Sequence, residues 1–302
     1  MKIEECKYKD IVGIKLSTER VVAIVLPEHG GKIASFKKVG GDREYLLQNK
    51  SEKYLSIDKT SDYEKGDCSG FDDMFPTIDA VKVKSVSGEY FNYLDHGEVC
   101  RISFDYEVKE DKLVLQYTSP MGYCYQKTFL EEEGKLRIDY NVTNISNIPL
   151  DVLWAGHCLI NSEKGGQLNF AFSDGDEIDY VSDSSDKFKP FERVKFKKQD
   201  FKTNWDEKLK FCNKFYFATK TPKGVIEYTY LNGDVFVMEF DNKKLPYVGV
   251  WQNFGRINDS YCFGLEPCTV AYDTVVNAEK YGQKEIIEVG ESLKFFIRLS
   301  IK

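Results

Sequence analysis

The sequence has no long apolar run, and its longest hydrophobic stretches fall far short of the roughly 20 residues of a membrane-spanning helix. It has no excess of basic residues either. The 42 Lys and Arg stand against 49 Asp and Glu, a formal net charge of −7, which argues against broad nucleic-acid binding because that needs a basic face. Eight cysteines occur, at positions 6, 68, 100, 124, 158, 212, 262 and 268, with no Cys-x-x-Cys pair among them, so a structural zinc site is not expected. The amino terminus, Met1 to Cys6, carries charges where a secretion signal has its apolar segment. The expected location is therefore the cytoplasm, with the cysteines as reduced thiols. The sequons beginning at Asn141, Asn144 and Asn258 then carry no sugar. No segment keeps a 3.6-residue period for three turns, so helices should be short and few. Histidine is scarce as well: His29, His96 and His157 serve the whole chain.

What is present is a period of two. Leu136, Ile138, Tyr140 and Val142 alternate with Arg137, Asp139, Asn141 and Thr143, the pattern of a half-buried strand. Leu113, Leu115 and Tyr117 predict a strand before it, and the run 131–134 (Glu-Glu-Glu-Gly) predicts a hairpin turn. The segments 225–230 and 235–240 flank Asn232-Gly233, a strong short hairpin signal. A last strand is predicted over 293–301. The 21 Phe and 19 Tyr favour sheets as well. Residues 163–210 are polar and charge-rich, and read as loop and edge structure; no Pro/Gly/Ser-rich tether marks a domain linker. Many short strands joined by hairpins imply an all-β fold, a large antiparallel sandwich.

A few residues stand out as carriers of chemistry. Histidine's ordinary pKa, roughly 6.5, lets it give or take a proton near neutral pH. Glu266 lies in the apolar stretch Gly264-Leu265-Glu266-Pro267; Pro267 predicts that the strand stops or bends there. The glutamate is then either a base projecting into a cleft or a rim residue paired to an arginine. His157 follows the apolar run 152–156 and is either a core residue or a proton carrier. His96, between Asp95 and Gly97, has the setting of a loop residue, whereas His29 before two glycines reads as the end of a strand. Asp72 and Asp73, in the segment 70–77, are either solvated turn acids or hydroxyl-binding acids. Trp251 is either core or a platform for the apolar face of a sugar.

Together these segments resemble the aldose 1-epimerase (galactose mutarotase-like) family over nearly the whole chain. The resemblance rests on residues 27–35 with their two glycines, Gly70 to Ile78, and Asp95-His96-Gly97-Glu98. It continues in Trp154 to His157, Gly249-Val250-Trp251 and Gly264-Leu265-Glu266-Pro267. It implies a β-supersandwich, residues 1–302 forming one carbohydrate-active domain, and an isomerase acting at the anomeric carbon of an aldose. It also implies His157 as general acid, Glu266 as base and His96 as a substrate contact, with Asp72, Asp73 and Trp251 as further candidates for binding. No metal or cofactor is needed, since the step is proton transfer without redox change. The expected partner is a small sugar, not a nucleic acid or a membrane, and the chain is expected as a monomer or homodimer. The sequence departs from the family in lacking an Asn-Arg element before His96 and in having Cys158 after His157. A phosphosugar epimerase of related fold would need arginines aimed at a phosphate; Arg43, Arg101 and Arg256 are the candidates. A non-catalytic sugar-binding protein is the other alternative.

Overall fold

A computed structural model of the chain describes every residue except 59–61, 86, 87 and 89. The alternating segments pair into two large antiparallel sheets. One has eleven strands, in the order Lys2–Tyr8, Ile11–Ser17, Val21–Leu26, Lys32–Lys38, Phe71–Met74, Ala155–Asn161, Tyr261–Cys268, Tyr247–Phe254, Phe211–Phe217, Glu177–Asp183 and Glu192–Lys195. The other has eight, in the order Gln167–Phe170, Val225–Thr229, Val235–Phe240, Ser292–Ile301, Lys135–Asn144, Tyr123–Glu132, Lys112–Thr118 and Asp105–Lys109. Among the described residues the only α-helix is Val275–Lys280, capped by the Thr274 side chain, which accepts from the Asn277 amide. The all-β sandwich expected from the sequence is what forms. No helix among the described residues is long and apolar enough to cross a membrane.

The predicted hairpins fold for identifiable reasons. Glu133 and Gly134 both have positive φ, 54° and 78°, as a two-residue turn between right-twisted strands requires. At Asn232-Gly233 the loop has three residues, with Gly233 at φ 89° and its N–H bonded to the Tyr230 carbonyl. The polar stretch 163–210 supplies edge strands to both sheets, Gln167–Phe170 to one and Glu192–Lys195 to the other.

Strand alternation sorts the residues at the middle of the large sheet. Phe71, Cys158, Leu265, Val250 and Phe215 lie side by side on five neighbouring strands. All five are fully buried in the core shared with Tyr125, Tyr140, Phe295 and Ile297 of the other sheet. The next residue along each strand must point out the other side. Asp73 follows the inward parity of Phe71. Its carboxylate is sealed between the sheets, 2.9 Å from Lys127 Nζ, and accepts from the hydroxyls of Tyr125 (3.1 Å) and Tyr140 (3.0 Å).

Burial drives the Asp73 carboxyl upward and the Lys127 ammonium opposes that shift. Removing the cation strands the acid in the core. Lys127→Met is expected to cost about 3–5 kcal/mol of stability, the usual penalty for breaking a buried ion pair. Urea unfolding monitored by circular dichroism measures it. A loss below about 1 kcal/mol would mean that the pair does not hold the sheets together.

Candidate active site

The outward row next to that core holds the candidate residues. Asp72 pairs with His157, and Glu266 pairs with Gly249, which pairs with Tyr216. Between the flanking pairs Ala155–Cys268 and Cys158–Leu265, the intervening register sets His157 opposite Glu266. One step along, Leu159, Gly264, Trp251 and Lys214 form the next outward-facing row. Pro267 does not end the strand, which runs through to Cys268. Pro267 keeps its partner Val248 on one side, while no pairs form at Gly156 and His157 on the other, so the missing N–H falls in the existing gap of the ladder.

These two rows floor a cavity of about 790 Å³ walled by loops. Its lining includes His157, Glu266, His96 and Trp251, the two proposed proton carriers and two of the proposed binding residues. Asp72 and Asp73 do not line it. Asp72 lies beneath, 3.1 Å from buried Lys32, and Asp73 points into the core on the opposite parity. His29 is elsewhere, its ring against Tyr54 at 4.5 Å, in the turn after the strand Val21–Leu26.

Tyr63 is the residue that sequence reasoning missed first. It comes from a short 3₁₀ turn, Tyr63–Lys65, and is buried. Its hydroxyl donates to Asp72 Oδ2 at 2.7 Å and lies 3.2 Å from His157 Nδ1. With its one hydrogen spent on Asp72, the hydroxyl can only accept from the imidazole, so Nδ1 carries the hydrogen and Nε2 is the free base. Burial, seconded by Asp72, holds the phenol far above its ordinary range, so it stays a hydroxyl. Tyr63 also stacks flat on His96, with centroids 4.0 Å apart and planes within 4°. His96 meets His157 edge-on at 5.4 Å.

The His96 loop is braced from several directions. His96 sits at φ 57° and bonds through Nδ1 to Asp95 at 2.9 Å. Gly97 follows at φ 70°, and a Cβ there would lie 2.3 Å from the Phe75 carbonyl oxygen, so no other residue fits. Glu98 accepts from Tyr117, Ser119 and Tyr123, tying the loop to the eight-stranded sheet. Arg101 donates to the carbonyls of Asp95 and Gly97.

Lys214 is the second missed residue. Its ammonium lies 2.7 Å from Glu266 Oε2 and 2.7 Å from Asp273 Oδ1. Burial pushes the ammonium pKa down, but Asp273 and Glu266 outweigh it and raise the net value. Asp273 also accepts from the Tyr216 hydroxyl at 2.6 Å and holds a left-handed backbone, φ 67°, beside Tyr272 at 71°. Neither residue carried a sequence signal: one lysine among many and an acid in no turn motif. Glu266 itself is fully buried, and Oε1 has no hydrogen-bond partner among the described residues. A Cβ at Gly264 would sit 3.2 Å from Trp251 Cβ, 3.3 Å from Leu159 Cδ2 and 3.5 Å from Oε1, so a larger residue there would crowd the carboxylate.

The order of the two proton affinities is the reverse of that of free side chains. Burial, with His96, Lys214 and Lys32 nearby, holds His157 well below its ordinary value and therefore neutral. Burial pushes Glu266 up to about 7, Lys214 restraining the rise and Asp273 adding to it. The cavity is also acidic. Asp62, Glu64, Asp79, Asp95, Glu266 and Asp273 line it against Lys65 and Lys214. Arg43, Arg101 and Arg256 are not among its lining residues; Arg43 pairs with Glu163, and Arg256 stands on an exposed turn.

No protein-family model and no curated protein matches the chain by sequence. Solved structures do match in fold. A protein from Escherichia coli K12 provisionally named an aldose 1-epimerase superposes with a TM-score of 0.69 at 17% identity, over 95% of this chain and 98% of that one. A galactose mutarotase-like protein from Clostridium acetobutylicum gives 0.68 at 13% identity, over 100% and 98%. A galactose mutarotase related enzyme from Lactobacillus acidophilus gives 0.67 at 11%, over 96% and 97%. The fold is thus the galactose mutarotase-like β-sandwich.

The tautomer is open to direct measurement. Long-range ¹H–¹⁵N NMR at pH 6 should find His157 neutral with its hydrogen on Nδ1, and Tyr63→Phe should release it to a mixture of tautomers. An imidazolium at that pH, or an Nε2–H tautomer in the unmodified protein, would contradict the hydrogen-bond chain.

Proposed function

We propose that the chain is an aldose 1-epimerase, interconverting the anomers of a free aldose by general acid–base ring opening and closure. The observation that carries this reading is the juxtaposition of His157 and Glu266 on adjacent strands, facing one cavity, with environments that leave a single proton between them near neutral pH. One proton on two carriers provides one donor and one acceptor. The carrier holding it delivers it to the ring oxygen as the C1–O bond breaks, while the other takes the hydrogen of the C1 hydroxyl. Rotation about C1–C2 turns the aldehyde, and closure on its other face returns both hydrogens with the roles exchanged. Burial favours the neutral distribution at rest, Glu266 protonated and His157 free at Nε2. His96, stacked on Tyr63, and Trp251, 6.2 Å from the His157 ring, supply a polar edge and an apolar face for the sugar.

The acid-rich lining supports a neutral substrate. A phosphate dianion brought among these carboxylates would meet repulsion and no arginine fork.

Glu266→Gln and His157→Asn are each expected to lower the enzymic rate of anomer exchange by about 10²- to 10⁴-fold, followed by polarimetry and exchange NMR over a panel of aldoses and their phosphates. Full activity in either variant sinks the assignment, and a preference for the phosphates sinks the substrate class.

The pH profile provides a separate test. The Glu266 carboxyl titrates near 7, so kcat/KM should hold below that pH and fall above it as the pair loses its one proton. Lys214 lowers the Glu266 pKa, so Lys214→Met should raise it and move the falling limb to higher pH. A limb that stays in place, or moves down, would show that Lys214 does not act on Glu266.

A further inference from the structure

The residues between those of the active-site rows face the other way. On Phe211–Phe217, Cys212 and Lys214 line the acidic cavity, while Phe211 and Asn213 line a second one. On Tyr247–Phe254, Trp251 and Asn253 line the first, while Gln252 and Phe254 line the second. This second cavity, about 850 Å³, lies back to back with the first across one sheet and is closed by the polar segment 185–204. Its volume is within the range of small-molecule sites.

Three of its features point to a ligand. The floor is aromatic, with Phe196, Phe201, Phe254 and Phe263 buried and Phe188 and Phe211 partly open. Asn213 is 94% buried yet its Oδ1 has no hydrogen-bond partner among the described residues, and it stands beside Gln252 in strand register. A buried amide oxygen left without a donor is costly, and a ligand N–H would relieve that cost. Third, the rim is basic in an acidic protein: Lys187, Lys195, Lys197, Lys202 and Lys210 against Asp200 alone. Lys195 and Lys210 are held by Glu177 and Asp259, whereas Lys187, Lys197 and Lys202 form no ion pair among the described residues.

We infer that this pocket binds a nucleoside phosphate: a planar base against the phenylalanines, its amino or imino edge donating to Asn213 with Gln252 alongside, and its phosphate among the free lysines at the rim. Aromatic stacking and amide readout of a base edge, joined to lysine contacts with phosphate, are the ordinary chemistry of such recognition. The site is independent of the reaction proposed on the opposite face, whose acidic lining takes no anion.

Isothermal titration of the full chain with AMP, GMP, CMP and UMP tests it, with the matching nucleosides and ribose 5-phosphate as partial ligands. At least one nucleotide is expected to bind, its nucleoside about tenfold more weakly and ribose 5-phosphate weakest of the three. The pair Lys197→Glu and Lys202→Glu should weaken the nucleotide by about tenfold with an unchanged unfolding temperature, since both side chains are exposed. Asn213→Ala should weaken nucleotide and nucleoside alike. No binding by any of the four nucleotides, binding indifferent to these substitutions, or ribose 5-phosphate binding as tightly as a nucleotide would each overturn the inference.

Discussion

The register between Ala155–Asn161 and Tyr261–Cys268 is the constraint on which the site depends. Side chains alternate across a sheet with a period of two, so a slip of one residue would send Glu266 into the core and Leu265 into the cavity. That slip is prevented from the opposite face. Phe71, Cys158, Leu265, Val250 and Phe215 form one apolar row buried against the other sheet, and moving any strand by one place would expose its share of that row. The packing of the sandwich thus fixes the relative position of two polar residues that have no direct hydrogen bond to each other.

Given that placement, burial does most of the electrostatic tuning. It pushes an acid up and an imidazole down, which brings the two affinities into an order opposite to that of free side chains. Uncompensated, such desolvation would be severe. The protein offsets the acid's share with Lys214, set between Glu266 and Asp273, whereas Lys32 and Lys214 both add to the depression of His157. Tyr63 links the Lys32–Asp72 pair to the imidazole and orients it, so the hydrogen on Nδ1 is set by a chain of contacts beginning at Lys32.

Much of this was legible in the sequence. Period-two stretches give the strands wherever one face is buried, as at 135–144, and the hairpin at 232–233 follows from its dipeptide. His96, His157 and Trp251 stand out as scarce residues, whereas Glu266 and the roles of all four rest on the family resemblance of the segments around them. Other features depend on contacts distant along the chain. Asp72 and Asp73 look equivalent as letters, yet adjacent residues on a strand face opposite ways, and each meets a lysine from another part of the chain. Tyr63 is one tyrosine of nineteen, made special only by the loop that lays it over His96. Lys214 reads as a surface cation until the sheet brings Glu266, two strands away, within reach of its ammonium. Pro267 misleads for a related reason: whether a missing N–H ends a strand depends on whether that side of the ladder was to be paired.

The central sheet also works as a partition. Strands Phe211–Phe217 and Tyr247–Phe254 each present alternate residues to two cavities, so one residue's step along the chain exchanges an acidic environment for a basic one. The separation has a physical consequence for selectivity. An anion drawn toward the lysines on one side is repelled by the carboxylates on the other, while a neutral polyol is indifferent to both fields and would be placed by hydrogen-bonding groups and apolar surface alone. On the two proposals made above, charge would sort the ligands before any detailed fit is tested, and that sorting would follow from the same alternation that builds the core.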